Sequence, residues 1–565
     1  MKIMGILHLC KRILNKIKKI NIRKTIKGYI LNYYWNKRHD FYLPIEAFGC
    51  NKKTYTIKKQ FIFPQNIKFS ILVPLYNTPE KFLKEMIGSV IFQCYENWEL
   101  CLADGSDDEH KYVQDICCAI AKTDPRLKYK KLEKNAGISE NTNACIKMVT
   151  GDYISLFDHD DLLHPFALFE TMKAICEKNA EFIYTDEVIF KSPKLVKITN
   201  TNFKPDFSKD YFMGTNYLCH FSSFKKSLLD KIGKFNSETD GAQDYDLFLR
   251  LTEQTDKIVH VPKCLYYWRA SPSSTASSIQ SKTYAIEAGK RALENHFKRC
   301  NINAYIDIYR NILYKANYTI NTKSKVSIII INDNTKSLTN CIDSIKQKTS
   351  YENYEIITED AAECMPAIYN SAAKKASGEY LIFLNCNTII DSVNWLEELL
   401  MHAQKSENGA VGAKFYNGHN KVSHFGYILG IKKIAGTINK GLDRAENGYA
   451  YRLSITQNVC AVSSDCMMIA KKKFEEINGF DETYKDSFFD IDFCLKLREK
   501  GYENICTPHA ELYYVGKKRK ANKNDSKVIC NKLNKTFVSC DPYYNINLTR
   551  KTEDFRVTGE VFSKV

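Results

Sequence analysis

The run Asp158-His159-Asp160-Asp161 sets three carboxylates on one turn, directly after the apolar segment 153–157. Oxygen ligands crowded in this way can hold a hard divalent cation such as Mg2+ or Mn2+. With 65 acidic residues in the chain, a bare Asp-x-Asp is usually a solvated turn, but this one stands at the end of a buried strand. A second acidic pair, Asp244 and Asp246, precedes Leu247-Phe248-Leu249-Arg250, so Asp244 is expected to open a helix. A carboxylate there serves either as a proton acceptor or as an N-cap.

These segments occur twice. FSILVPLYNT (69–78) returns as VSIIIINDN (326–334), and GDYISLFDHDDLLHP (151–165) as GEYLIFLNCNTIIDS (378–392). GAQDYDLFLRL (241–251) returns as SFFDIDFCLKL (487–497), and HVPKCLYYW (260–268) as CTPHAELYYVG (506–516). Ordered matches of this kind indicate a tandem duplication. In the second copy Asn385-Cys386-Asn387 replaces the acidic turn, and two amides with a thiol bind a hard cation poorly. Chemistry is therefore expected in the first copy, with the second impaired or repurposed.

The elements that must position these residues follow from periodicity. The first copy reads as strand 69–75, helix 79–93, strand 98–103, helix 109–122, strand 128–132, helix 139–149 and strand 152–157. Such alternation predicts a mostly parallel α/β sheet with ligands at the carboxyl ends of its strands. Asn77, Asp104 and Asp158 each stand where a strand gives way to a loop, so one cleft can gather them. The first domain is placed at 67–300, with the small polar stretch 271–282 a candidate loop and helix 283–298 its close. The second is placed at 325–515, with a tail at 516–565. Ser70 to Gly151 spans 81 residues, but Ser327 to Gly378 only 51, so about 30 are missing around the counterpart of the Asp104 loop. Gly378 to Asp490 spans 112 against 93 for Gly151 to Asp244, so that half has grown.

Net charge is +17, of which residues 1–38 carry 11 Lys or Arg and no acid, leaving +6 (17 less 11) for the rest. A bulk so near balance excludes a general nucleic-acid binder. In 1–38, Ile3, Ile6, Leu7, Cys10, Ile13, Leu14, Ile17 and Ile20 line one helical face and lysines the other. That pattern, too short in apolar length to span a bilayer, predicts a basic interfacial helix on an anionic membrane surface, a basic helix packed on its own protein, or a partly disordered arm. The 20 cysteines include no CxxC pair and read as small buried hydrophobes in a reducing compartment.

FSILVPLYN, ENWELCLADGSDD, GDYISLFDHDDLLHP, YTDE, GAQDYDLFLRL and LYYWR together resemble glycosyltransferase family 2. VGAKFY, INGFDE, DIDFCLKLREKGY and TPHAELYY of the second copy are similar to it too, and DPYYNINL resembles tandem-domain members that build bacterial surface polysaccharides. The resemblance covers roughly residues 68–515. It implies two tandem GT-A (nucleotide-diphospho-sugar transferase) domains with mixed, mostly parallel sheets. It also implies inverting transfer from a UDP, dTDP or GDP sugar to a lipid-linked capsular or lipopolysaccharide glycan. The protein would then sit peripherally at the inner face of the cytoplasmic membrane, reached through residues 1–38. Asp158 and Asp160 would hold the divalent cation, and Asp104 would contact the base, with Pro74, Tyr76, Asn77 and Asp161 lining the nucleotide-sugar site. Asp244 would be the catalytic base, Asp246 and Trp268 would meet the acceptor, and Arg269 the diphosphate. Relatives carry a His soon after this Arg, available to the metal. Here Ala270-Ser271 follows, which leaves water or Ser271 as the further ligand and assigns His220 to the acceptor side or to structure. The alternative function is a non-catalytic carbohydrate-binding or scaffold pseudo-transferase.

Overall fold

The computed structural model describes residues 48, 50–191, 198–270, 279–516, 520–536 and 541–558. The basic helix expected over 1–38 and most of the 271–282 loop lie outside the described residues.

The first strand, β1 (Phe69–Leu75), is FSILVPL with every residue buried, and it pairs in parallel with β2 (Trp98–Asp104) and β4 (Tyr153–Leu156). Between β1 and β2 the helix Glu80–Ile91 turns Leu83, Met86, Ile87 and Val90 inward, the i, i+3, i+4, i+7 stripe of a helix packed on a sheet. β3 (Leu127–Lys131) extends the parallel side beyond β2. The sheet continues through β5 (Leu162–Leu163), β6 (Phe182–Phe190), β7 (Ile198–Asn202), β8 (Ser222–Lys225) and β9 (Ile258–Arg269) in the spatial order β3-β2-β1-β4-β8-β6-β9-β5, with β7 on β6. It is mixed, and its parallel character is confined to β1–β4 and the β6–β9 pair. β8 runs antiparallel to both β4 and β6. The helix Ile279–Arg299 closes the domain, and the hairpin Ala304–Tyr309 with Leu313–Tyr318 leads to the second.

The second sheet repeats that order strand for strand from Tyr354–Asp360 through Val326–Asn332, Tyr380–Asn385, Cys466–Ala470, Asn408–Tyr416 and Glu503–Tyr514 to Thr388–Ile390. Among the described residues it has no counterpart of β3 or of the helix Tyr112–Ala121; Tyr354–Asp360 leads straight to the helix Met365–Lys375. The growth lies between Tyr416 and Cys466, where short strands including Gln457–Val459 are added. Both units are thus α/β domains with mixed sheets, as the GT-A resemblance implies.

One hydrogen-bonded triad is built twice. Ser70 Oγ donates to Glu99 Oε1 at 2.6 Å and accepts from Gly151 N at 2.9 Å. Ser327 Oγ does the same with Glu355 at 2.6 Å and Gly378 N at 2.9 Å. A Cβ on Gly151 would stand 2.6 Å from Lys68 O, and one on Gly378 2.7 Å from Lys325 O, so both positions exclude a side chain. Burial raises the Glu99 pKa, but bonds from Lys68, Ser70, Thr150 and Lys128 hold the carboxyl down at about 2, against an ordinary value of 4.5. A carboxyl depressed in the fold stabilises it above the unfolded pKa and loses that contribution as pH falls through the folded one. Glu99 is therefore expected to contribute on the order of 3 kcal/mol that disappears between pH 4.5 and about 2. Urea titrations across that range should show a shallower pH dependence in Glu99→Gln than in wild type.

The domains share an interface and a strap. Asn458 Oδ1 accepts from Ser208 Oγ at 2.9 Å and Asp210 N at 3.0 Å. The strap is the DPYYNINL segment, placed by sequence in a tail. Its Asp541 Oδ2 accepts from Leu429 N at 2.8 Å and its Tyr543 carbonyl from Arg452 at 2.6 Å, both in the second domain. Asn545 Nδ2 then donates to Asp186 Oδ2 and to Lys204 O, each at 2.9 Å, in the first. Among the described residues, no helix is long and apolar enough to cross a membrane.

Candidate active site

Register aligns the carboxyl ends of three parallel strands: Leu75 pairs with Asp104 and Leu72 with Leu156. The chain leaving β4 passes through buried Phe157 and turns at Asp158-His159-Asp160-Asp161. Asp161 anchors that turn. It is 1 % exposed, and it accepts from Tyr266 OH at 2.5 Å and from Arg269 N at 2.7 Å on β9. Arg269 is also committed inside the protein. Its Nε donates to the Asp160 carbonyl and its Nη2 to Glu85 at 3.0 Å, and the guanidinium lies 4.2 Å from the Phe82 ring. Asp161, expected in the nucleotide-sugar site, and Arg269, expected on the diphosphate, are thus bonded to each other's strands across the β4–β9 junction. These bonds hold the turn and leave Asp158 half exposed and Asp160 partly so.

Asp244 opens the helix Gln243–Thr252, as the residue pattern predicts. Its Oδ1 accepts from Tyr245 N at 2.8 Å and its Oδ2 from Asn216 Nδ2 at 3.0 Å. Burial pushes its pKa up, helped by Asp158 and opposed by His220. Asp246, expected at the acceptor, instead faces the interior. It is 1 % exposed and held by Arg250 at 2.7 Å, an i,i+4 pair that Asp492 and Lys496 repeat at 3.0 Å in the second domain.

A cleft enclosing about 100 Å³ is lined by Pro74, Asp158, His220, Gln243 and Asp244, with apolar walls from Leu72, Leu156 and Phe248. Asp158 and Asp244 thus meet in one cavity although 86 residues (244 less 158) apart. Tyr76 is exposed beside this cleft's Pro74 wall, and Asn77, at φ 48°, donates from its backbone to Ser106 Oγ at 2.9 Å. Asp104, expected on the base, is fully buried in an Asx turn to Ser106 N at 2.8 Å and accepts from Tyr129 OH at 2.7 Å. Both of its oxygens are occupied, so it shapes the loop that a base would approach. Trp268 is half-buried on β9, its ring 6.0 Å from that of His220.

His220 is the residue that sequence reasoning undervalued. Its ring stacks on Tyr266 at 4.7 Å, with Nε2 3.4 Å from Asp158 Oδ2 and Nδ1 3.3 Å from Glu187 Oε2. Burial lowers its pKa, yet the Glu187 bond and the Asp158 charge outweigh that and raise it to about 9. Glu187 is buried, and Lys204 and His220 hold its carboxyl down at about 2 against the desolvation. The signal was the YTDE segment, whose last two acids were left without roles.

The donor set fits a hard cation. Burial pushes the Asp160 carboxyl up and the Asp158 charge adds to the shift, a local excess of negative charge that a cation would relieve. The ligand atoms are not drawn together in advance. Among the described residues, three such atoms lie within 4.8 Å only at Glu253, His296 and Cys300, where Arg299 already grips Glu253 at 2.7 Å. In the second domain the corresponding turn is closed on itself. Asn385 Nδ2 donates to Asp465 at 2.9 Å, Asn387 N to Asn385 Oδ1 at 2.9 Å, and Cys386 Sγ to Asp333 at 2.6 Å.

Residues 70–233 match the family model described as "Glycosyl transferase family 2", and residues 327–539 match "Glycosyltransferase like family". The uncharacterized protein y4gI of Sinorhizobium fredii is 34 % identical over 534 residues, which cover 86 % of this chain and 58 % of that protein. The O-antigen biosynthesis protein RfbC of Myxococcus xanthus is 29 % identical over 477 residues, covering 79 % and 37 % respectively. This chain therefore spans 58 % and 37 % of the length of those relatives. The crystal structure of S. aureus TarS 1–349 in complex with UDP-GlcNAc aligns at 20 % identity with a TM-score of 0.35, over 41 % of this chain and 66 % of that one.

Proposed function

Because residues 70–233 belong to glycosyltransferase family 2 and a second glycosyltransferase-like domain follows in tandem, we propose that the first domain transfers a sugar, with inversion, from a nucleotide-sugar donor. The acceptor is a hydroxyl of a growing lipid-linked capsular or lipopolysaccharide glycan. The observation that carries this reading is the single cleft shared by Asp158 and Asp244. A divalent cation held by Asp158 and Asp160 would act as a Lewis acid on the departing diphosphate. Pro74, Tyr76, Asn77 and the Asp104 loop form the side on which the base would lie. Asp244, which lines the same cleft, accepts the proton of the acceptor hydroxyl as its oxygen attacks the face away from the leaving group. Asn216 and the Tyr245 amide hold that carboxylate in place. Trp268 is the remaining candidate for acceptor contact.

The second domain is assigned a non-catalytic role in gripping glycan or bracing the first, because amides replace its acidic turn and the strand and helix after the Asp104 loop are absent. Residues 1–38 supply the contact with an anionic membrane face. The family match and the RfbC similarity favour polysaccharide assembly over a purely binding module. The test is turnover of UDP, dTDP, GDP and CMP sugars by the purified protein with Mn2+, Mg2+ or chelator. Cation-dependent release of nucleotide from one class is expected, and release from none of them contradicts the reading.

A further inference from the structure

We infer that His220, oriented by Glu187, is the third protein ligand of the cation that Asp158 and Asp160 are proposed to hold. The inference rests on that cation reading. Three observations carry it. First, His220 Nε2 stands 3.4 Å from Asp158 Oδ2, long for a hydrogen bond. It is close to the separation of about 3 Å between adjacent ligands that each lie about 2.1 Å from one ion. Second, the far nitrogen faces a buried carboxylate. Nδ1 lies 3.3 Å from Glu187 Oε2, and Glu187 is itself fixed by the His220 amide at 2.7 Å and by Asn202 at 2.9 Å. A carboxylate behind a histidine is the usual way a ligand ring is oriented and its basicity raised. Stacking on Tyr266, which Asp161 holds, fixes the ring plane.

Third, the inner control is the second domain. Leu156 pairs with Ser222 and Phe383 with Met467, so Asp465 occupies the place of His220. Tyr184 pairs with Ser222 and Gly412 with Met467, which puts Phe415 in the place of Glu187. Glu187 pairs with Tyr266 and Phe415 with Leu512. Where Asp158 has become Asn385, the histidine, its orienting carboxylate and its stacking tyrosine have all been replaced too. Asp465 still touches Asn385, at 2.9 Å, so the spatial relation persists while the ligand chemistry is gone. An imidazole donor favours Mn2+ over Mg2+, since nitrogen ligands suit the transition ion better. To serve as a ligand, His220 would offer Nε2 without its proton, which would pass to water, while Nδ1 keeps its proton toward Glu187.

The experiment is electron spin-echo envelope modulation of Mn2+ bound to the full chain, with Mn2+ alone as the probe. Wild type is expected to show imidazole nitrogen coupling, and His220→Gln to lose that coupling and bind Mn2+ at least about tenfold more weakly. Glu187→Gln should keep the coupling and weaken binding by about tenfold. Bound Mn2+ without nitrogen coupling in wild type, or coupling that survives in His220→Gln (pointing to His159), overturns the inference and leaves the Asp158–Asp160 reading standing. Folded wild type that binds no Mn2+ overturns both.

Discussion

Asp244→Asn is expected to lower kcat for sugar transfer by about 10²- to 10⁴-fold, the range general-base catalysis supplies, while donor affinity stays near wild type. The substitution is close to isosteric. The amide oxygen can keep the bond from the Tyr245 amide, and a flip of the Asn216 side chain would let its otherwise unpartnered Oδ1 accept from the new NH2, so the helix start and the cleft wall are retained. What is lost is the site for the acceptor proton. Burial raises the Asp244 pKa, so the acid limb of the kcat/KM profile should lie above the ordinary aspartate range and be missing from the residual activity of the variant. A fall in activity matched by an equal loss of donor binding would instead make Asp244 a binding residue.

Asp160→Asn is expected to abolish cation-dependent donor binding and reduce turnover by at least about 10³-fold, since hard cations need carboxylate oxygen and the diphosphate needs the cation. Its effect on stability should run the other way. A carboxyl whose pKa is raised in the fold stabilises it only at pH low enough to keep the proton, and opposes folding as pH rises past that range. Burial and the neighbouring Asp158 raise Asp160 in this way, so at neutral pH and without metal the Asn variant should melt no lower than wild type. Differential scanning fluorimetry with and without Mn2+ separates the two effects. A variant that melts lower in chelator, and still gains stability from Mn2+ with donor, would mark Asp160 as structural.

Much of this was legible in the sequence because it is local. The buried strand FSILVPL, the turn at 158–161 and the helix behind Asp244 follow from runs of residue types over a few positions, and the duplication follows from their order. The deletion in the second copy could be counted from spacing alone. What could not be read is which way a charged side chain turns once its partner arrives from elsewhere. Asp161 and Arg269 lie 108 residues apart, and nothing near either one tells that they bond each other. Asp246 reads like its neighbour Asp244, two positions along the same helix, yet Arg250 draws it into the core. The Glu187–His220 pair depends on β6 and β8 meeting across 33 residues. The strap through Asn545 reaches Asp186 over 359 residues, so DPYYNINL carried a family likeness with no visible purpose.

The second domain gives the sharpest comparison. Its Asp490 sits where Asp244 sits, accepts from Ser464 N at 3.1 Å, and is pushed by burial up to about 6. Its other oxygen accepts from Ile491 N at 2.9 Å, so Asp490→Asn gives up one backbone bond while keeping the shape of the side chain. The decisive measurement is nucleotide release from the active donor by wild type, Asp160→Asn and Asp490→Asn side by side, each checked for folding by its melt. If chemistry resides in the first copy, Asp490→Asn turns over at close to the wild-type rate and Asp160→Asn does not. Loss of turnover in folded Asp490→Asn with donor binding intact, or survival of turnover in Asp160→Asn, contradicts it.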